Sequence, residues 1–431
     1  MQSLRHQTGE NGKVKRVSFQ TLGCKLNQYD TQVLIESFNR SPNYEVVEPG
    51  ADADIRVINT CTVTSKTDRQ SRNLIRRAAK MDPKPMVIVT GCFAQVNPDA
   101  IIAISGVDNV VPNSDRWAEF ERLFGVETSE SIHSFCDHTR AFVKVQEGCD
   151  NYCSYCIVSF ARGKNKARPA ESVVREVEAL VGGGYKEVVV TGTDLGRYHD
   201  DSGNDLLALL KRLEKIQGLR RIRLSSIHPD EVSERLVEFY AISSKMCPHV
   251  HLSVQSADDS ILRAMNRAYT RGECETAVKR FVNSCPDIAI GADLIAGFPG
   301  EGPQAFANTL NFVRDLPLVY LHVFPFSARS GTEAASMGNQ VRPEIRKERA
   351  AILRQLGKEK WLGYRRSFLG QRFDCLVESR RKEGRLVGLT GNYIHIQFDG
   401  DDELKNTLVQ VELRGVNDSH SYGRLCEQHR R

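Results

Sequence analysis

Hydrophobic and polar positions along the 431-residue chain fall into three successive patterns. From Val14 to about Gly125, short apolar runs alternate with amphipathic stretches. VKRVSFQTL, ADIRVINT and PMVIVTG read as strands, and TQVLIESFNR and KTDRQSRNLIRRAAK as helices. Apolar strands separated by helical stretches predict βαβ units and a parallel sheet. The polar stretch 127–140 predicts a linker. A second run, about 141 to 330, holds AFVKVQEG, KEVVVTG, RIRLSSI, HVHLSVQS, IAIGADLIAGFPG and VYLHVFPFS as strands, with helical stretches such as AESVVREVEALV and DSILRAMNRAY between them. Strands at ~30–45-residue spacing fit a full or partial (βα) barrel better than a short open sheet. PEIRKERAAILRQLGKEKWLGYRRSFL predicts one long helix. After about Gly370, short strands broken by Gly and charged turns (FDCLVES, GRLVGLTG, YIHIQF, LVQVELRGV) predict a small antiparallel barrel. The expected division of this α/β chain is a disordered tail (1–14), a parallel-sheet α/β domain (15–126), the linker (127–140), a partial (βα) barrel (141–341), a connecting helix (342–366) and a C-terminal barrel (367–431).

Composition adds limits. An apolar content of 40% lets the chain bury a core and excludes global disorder. No apolar run approaches the ~18 residues that span a bilayer. The N-terminus, MQSLRHQTGENGKVKR, lacks the apolar stretch of a signal peptide, so a cytoplasmic location is expected. The formal net charge is +5, which permits an acidic partner without demanding one. Residues 342–366 alone carry nine basic and three acidic side chains, so this helix can supply the whole excess.

Twelve cysteines change the picture. Disulfides are disfavoured in the cytosol, so thiolates for metal or catalysis move forward. Cys136, Cys247, Cys274, Cys285, Cys375 and Cys426 show no ligand spacing. The other six form two arrangements. Cys149, Cys153 and Cys156 lie within one short segment, GCDNYCSYC, spaced C-x3-C-x2-C just after a predicted strand. Three thiolates so close can hold three irons of a [4Fe–4S] cluster, whereas ordinary ferredoxin clusters are closed by a fourth cysteine. No fourth cysteine follows within reach, which leaves one iron open to a ligand. A zinc site completed by Cys136, His133 or His138 is the competing reading. Cys24, Cys61 and Cys92 are far apart in sequence but alike in context: SFQTLGC, RVINTC and VIVTGC each place the cysteine just after a strand. The carboxyl ends of parallel strands share one edge, so the three thiols can converge there. Spacing alone equally allows three buried strand-end cysteines without metal.

The C-x3-C-x-aromatic-C segment, with Tyr155 as the aromatic, resembles the signature of the radical S-adenosylmethionine (SAM) superfamily. TLGCKLNQYDT, NTCTVT and TGCFAQ resemble the N-terminal domain of the methylthiotransferases within it. ARGKNKAR, TGTDLG, LSSIHP, HVHLSVQS, MNRAYT, ADLIAGFPGE and FPFSARSGT extend the likeness, and LTGNYIHIQF resembles the TRAM-like RNA-binding barrel appended to that family. The resemblance covers about residues 15 to 428. Two departures are Ala257, where Gly commonly follows Gln-Ser, and Lys164 and Lys166 in an Arg-rich segment.

The resemblance implies two [4Fe–4S] clusters, one on Cys149, Cys153 and Cys156 that binds SAM, and an auxiliary one on Cys24, Cys61 and Cys92. In the family the open iron chelates SAM, and one electron cleaves it to a 5′-deoxyadenosyl radical. Tyr155 then lies beside the adenine, and Thr193, Ser226, Gln255 and Asp293 are candidate SAM contacts at barrel strand ends. Each is equally a strand-end polar group satisfying backbone. Arg162 and Arg168 are candidates to pair with a carboxylate or phosphate. In the connecting helix, Trp361, Tyr364, Arg365 and Arg366 interleave aromatic and basic groups as single-stranded RNA binders do, and Arg365 and Arg366 are the candidate RNA contacts. A solvated basic face is the alternative.

The implied activity replaces an unactivated C–H by C–SCH3. Such a hydrogen is not acidic enough for a side-chain base, which accords with the absence of a dominant acid/base pair. KLNQYD after Cys24 and TVT after Cys61 look most like the branch acting on N6-threonylcarbamoyladenosine beside the tRNA anticodon. Other branches act on isopentenyl-adenosine in tRNA or on a ribosomal protein aspartate. The implied partners are tRNA and an electron donor such as flavodoxin or ferredoxin, with no membrane and no DNA. A metal-containing RNA-binding protein is the non-enzyme alternative.

Overall fold

The structure is a computed structural model that describes residues 14–129, 131–135 and 138–426. The expected tail up to Lys13 and the candidate ligand Cys136 lie outside the described residues. The chain forms two compact units, Met1–Ile132 with Phe160–Arg162, and His133–Ser159 with Gly163–Arg431.

The first unit is built on a parallel sheet of five strands: β1 (Lys15–Thr21), β2 (Tyr44–Val47), β3 (Ile55–Thr60), β4 (Met86–Gly91) and β5 (Asn109–Val111), in the order β2-β1-β3-β4-β5. Every residue of β3 is buried, as expected for a central strand covered on both faces. Val57 joins Val17, Phe38 and Phe120 in one core cluster, while its neighbour Ile58 joins Ile75, Val89 and Phe93 in another. Helix α1 (Lys25–Arg40) follows β1, α2 (Ser65–Ala79) follows β3, and α3 (Cys92–Val96) follows β4.

The second unit carries the partial barrel. Its strands are β6 (Ala141–Lys144), β9 (Glu187–Thr191), β10 (Arg221–Leu224), β11 (Ser226–Ile227), β12 (His249–Gln255), β13 (Ala289–Ala296) and β14 (Tyr320–Pro325). They pair in parallel in two series, β10-β9-β6 and β11-β12-β13-β14. A short antiparallel pair, β7 (Gln146–Glu147) with β8 (Lys166–Ala167), closes the loop that carries Cys149, Cys153 and Cys156. The expected linker is packed where it enters this unit. Phe135 lies against the Phe142 ring at 5.1 Å, and its N–H donates to the Tyr185 hydroxyl at 2.7 Å.

After helix Pro343–Arg366 come β15 (Arg372–Val377), β16 (Leu386–Thr390), β17 (His395–Phe398), β18 (Leu408–Val416) and β19 (Ser421–Leu425). They close into a barrel in the order β15-β16-β17-β19-β18. The expectation of a wholly antiparallel barrel is corrected at one seam, since β17 pairs with β19 in parallel. This barrel stoppers the amino-terminal end of the partial barrel. Glu187, the first residue of β9, accepts from Arg223 at 2.7 Å and pairs with Arg221 at 3.4 Å. Arg221 donates onward to the Leu389 carbonyl at 2.8 Å, and Arg223 to the Gly391 carbonyl at 2.9 Å. The Tyr393 ring packs 4.4 Å from His249 and 5.7 Å from Tyr320. The opposite, carboxyl-terminal rim is where such barrels do chemistry. Among the described residues, no helix is long and apolar enough to cross a membrane.

Candidate functional site

Cys24, Cys61 and Cys92 do converge. They follow β1, β3 and β4, three adjacent strands of one parallel sheet, so their strand ends share a rim. Gly23 (φ 115°) lets the chain pass Cys61, since a Cβ there would stand 2.8 Å from the Cys61 Cβ. Gly91 (φ 98°) is hemmed in by Asn59 and the Thr60 backbone, which leave no room for a side chain. Burial pushes the Cys61 thiol up to about 11. Burial also raises Cys92, against the opposing pull of Arg162 and Arg116. Those two arginines are held by one carboxylate. Asp30, fully buried on α1, lies 2.6 Å from Arg116 and 3.2 Å from Arg162. Asn27, one turn earlier, accepts from Arg162 and donates to the Thr60 carbonyl at 3.0 Å. Three thiols with guanidinium charge beside them suit an iron–sulfur cluster, whose ligands must be thiolates and whose net charge is negative.

The second set is one loop in the other unit. Gly148 (φ 78°) turns the chain into Cys149 and packs on the backbone of Gly163 and Lys164, where a Cβ would clash. The Cys149 N–H donates to the Gly163 carbonyl at 3.1 Å. Asn151 donates to the Asp194 carboxylate at 3.0 Å and points at the Cys149 sulfur at 3.4 Å. Burial pushes Cys149 up to about 11 and Cys156 up to about 12. The Val158 N–H donates to the Cys156 sulfur at 3.4 Å. The segment Ala264–Arg267 grips this loop from the side. The Met265 carbonyl accepts from the Ser154 N–H at 3.0 Å, and Asn266 donates to the carbonyls of Asn151 and Tyr152 at 3.1 and 3.0 Å. Arg267 donates to the Cys153 sulfur at 3.1 Å. Sequence reasoning missed these roles, although MNRAYT was among the matching motifs. Three thiols meeting at a loop, each with a donor already aimed at its sulfur, again fit a three-cysteine cluster.

The candidate SAM contacts fare unequally. The Thr193 hydroxyl is spent on the Gly148 carbonyl and lies 3.3 Å from Gln146, so it braces the cysteine loop. Asp293 is occupied as well. Its Oδ1 lies 3.0 Å from His251 Nε2 and 3.3 Å from His322 Nδ1. Burial raises this carboxyl, but the two imidazoles outweigh it and hold it well below the usual range. Ser226 and Gln255 are half-buried at the ends of their strands, and Gln255 sits at φ 62°. Tyr155 packs edge-on against Phe298 at 6.3 Å. Arg168 is structural, paired with Glu176 at 2.5 Å and donating to the Lys144 carbonyl at 2.7 Å.

Arg365 is corrected outright. It is 3% exposed, and its guanidinium donates to the Asn417 carbonyl at 2.9 Å and the Ser421 hydroxyl at 3.3 Å. It therefore latches the helix to the C-terminal barrel and has no reach to a phosphate. Other cations of this helix are spent on the partial barrel instead: Arg349 binds Glu301 at 2.6 Å, Arg354 the Val323 carbonyl at 2.7 Å, and Lys360 the Arg314 carbonyl at 3.0 Å. Trp361 packs against Tyr320 and Tyr364, between the two barrels. Arg366 alone of the candidate pair is exposed.

Two family descriptions match the chain, "Uncharacterized protein family UPF0004" over residues 16–112 and "Radical SAM superfamily" over residues 143–313. The threonylcarbamoyladenosine tRNA methylthiotransferase MtaB of Aquifex aeolicus is 39% identical, covering 92% of this chain and 99% of its own. The tRNA-2-methylthio-N(6)-dimethylallyladenosine synthase of Syntrophus aciditrophicus is 31% identical, covering 96% of this chain and 95% of its own. Among solved structures, the radical S-adenosylmethionine methyltransferase TsrM from Kitasatospora setae superposes with a TM-score of 0.54 at 15% identity, covering 74% of this chain and 75% of that one. That likeness is one of fold.

Proposed function

The chain belongs to the radical SAM methylthiotransferase family, and on that premise we propose that it converts N6-threonylcarbamoyladenosine next to the tRNA anticodon to its 2-methylthio derivative. The observation that carries the reading is likeness along the whole length to a relative named for that nucleoside, at 39% identity against 31% for the dimethylallyladenosine synthase. When bound, the cluster on Cys149, Cys153 and Cys156 supplies the electron that cleaves SAM, and the cluster on Cys24, Cys61 and Cys92 supplies the site for the inserted sulfur.

The protein's own residues then have defined tasks. Asn151, Asn266 and Arg267 hold the cysteine loop in one conformation, so the ligand set is preorganised before any cofactor arrives. Asp30 fixes Arg116 and Arg162 beside Cys92, where positive charge favours the thiolate. The imidazole of His322 on β14, 56% exposed and oriented by Asp293, presents a polar edge, whereas His251 on β12 is buried with its ring nitrogens engaged by Asp293 and the Tyr320 hydroxyl. Ser226 and Gln255 keep their places as SAM contacts in this reading. Arg366 is its remaining RNA contact on the connecting helix. An electron donor such as flavodoxin or ferredoxin completes the reading, and the work is done in the cytoplasm.

Nucleoside analysis of tRNA from cells lacking the gene tests this. Loss of 2-methylthio-threonylcarbamoyladenosine with accumulation of its unthiolated precursor is expected. Persistence of that nucleoside, with loss of the methylthio derivative of isopentenyl-adenosine instead, contradicts the substrate assignment.

A further inference from the structure

Helix α2 begins four residues after Cys61 and carries the densest run of cations in the first unit. Its inner face is Ser71, Ile75 and Ala78, all buried, and its acidic residue, Asp68, is turned inward to accept from Thr62 at 2.7 Å. Its start is fixed by a reciprocal cap in which the Thr67 N–H donates to the Thr64 hydroxyl at 3.2 Å. The outer face is different. Lys66, Arg69, Arg76, Arg77 and the capping Lys80 are all exposed. At ~100° per residue they fall within an arc of about 100°, one stripe along the helix. From Lys66 to Lys80 the stripe runs about 21 Å at ~1.5 Å per residue. None of the five side chains makes an ion pair or hydrogen bond among the described residues. Arg72 lies at the margin and is engaged, with its guanidinium 5.6 Å from the Phe93 ring. This is the reverse of helix Pro343–Arg366, whose cations are largely spent on carbonyls and carboxylates of the same unit.

Like charges three and four residues apart weaken a helix, and no acidic side chain on this face offsets them. A fold needs no such stripe, so its use lies outside the chain. A row of unpaired Lys and Arg at helical spacing matches a polymer bearing regularly spaced anions, and interleaved aromatic groups that would stack on bases are absent from it. That is backbone recognition, which fixes position and orientation without reading sequence. We propose that the exposed face of α2 is a docking surface for the phosphate backbone of the tRNA substrate. The proposal rests on the function given above and adds an extended surface to the single contact, Arg366, that is left once Arg365 is withdrawn.

The test is the salt dependence of tRNA affinity, measured on the full chain with both clusters reconstituted and tRNA carrying N6-threonylcarbamoyladenosine as probe. Each phosphate contact contributes about 0.7 to 0.9 to the slope of log affinity against log salt. Replacing Arg69, Arg76 and Arg77 together by Ala keeps helix propensity, so α2 stays folded, and should flatten the slope by about two units. The matching Arg69→Lys, Arg76→Lys, Arg77→Lys variant keeps the charge and should keep the slope. If wild type binds with a steep slope and the alanine variant is unchanged, the stripe is not the docking surface while the substrate stands. If wild type shows no salt-dependent affinity for this tRNA, the substrate reading falls and the stripe with it.

Discussion

The Arg267 guanidinium donates to the Cys153 sulfur at 3.1 Å, and Arg267 is held there by the Tyr269 hydroxyl at 2.7 Å and the Ser253 carbonyl at 3.2 Å. Its charge also lies 4.6 Å from the Tyr269 ring centroid. A fixed cation donating to a ligand sulfur stabilises the more negative, reduced form of a cluster. Arg267→Gln should therefore make the cluster on Cys149, Cys153 and Cys156 harder to reduce. A tenfold lower ratio of reduced to oxidised cluster at a given potential corresponds to a shift of about 59 mV for one electron. A potentiometric titration followed by electron paramagnetic resonance reads this directly, and an unchanged or more positive potential would contradict it.

Asp30 is fully buried with two arginines on one carboxylate. Removing one partner of a buried ion pair leaves uncompensated charge and costs about 3–5 kcal/mol. Asp30→Asn should lower the stability of the first unit by that order in urea unfolding and weaken iron retention at Cys92. A variant as stable as wild type would show that Arg116 and Arg162 find other partners.

Glu187 predicts a pH dependence. Burial raises its carboxyl, but Arg223, Arg140 and Arg221 outweigh that and leave it below the ordinary value. A depressed carboxyl contributes stability that is fully present above the unfolded value of about 4.3 and is lost as pH falls through the folded value. Glu187→Gln should lose about 3–5 kcal/mol near neutrality. It should also show a smaller further loss between pH 5 and 3 than wild type in thermal unfolding. A parallel offset across that range would contradict the assignment.

The two cysteine sets should separate by variant. Cys153→Ala should abolish SAM cleavage while leaving tRNA affinity nearly intact. Cys61→Ala should keep SAM cleavage, hold only about four irons, one [4Fe–4S] cluster, and form no methylthiolated product. Cleavage in the first variant, or product in the second, would overturn the division of labour.

Much of the fold was legible because its strands are buried on both faces. β4 and β9 read as continuous apolar runs, while β3 and β12 keep apolar residues at intervals between polar ones, and all four segments lie in strands. The edge strands β2 and β5, with four and three residues, carry too few positions to show a period. β19 was missed because its residues SYGRL alternate without an apolar face. The convergence of Cys24, Cys61 and Cys92 was legible from their shared place after strands, since parallel strands must end on one edge. The parts that failed depend on contacts distant in sequence. Arg365 looks the same in sequence whether it meets a phosphate or the Asn417 carbonyl. Asp293 shows nothing of the two imidazoles that reach it from β12 and β14. The positive helix was likewise placed in 342–366 by counting charge, whereas the charge left unpaired on α2 appears only once partners are assigned.

The most direct test of the central claim is conversion in vitro. The chain with both clusters reconstituted, SAM and a reductant would be incubated with tRNA carrying either N6-threonylcarbamoyladenosine or isopentenyl-adenosine, and the nucleosides analysed by mass spectrometry. The account predicts the 2-methylthio product from the first tRNA and none from the second. Product from the second alone, or no product from the first while SAM is cleaved, would contradict it.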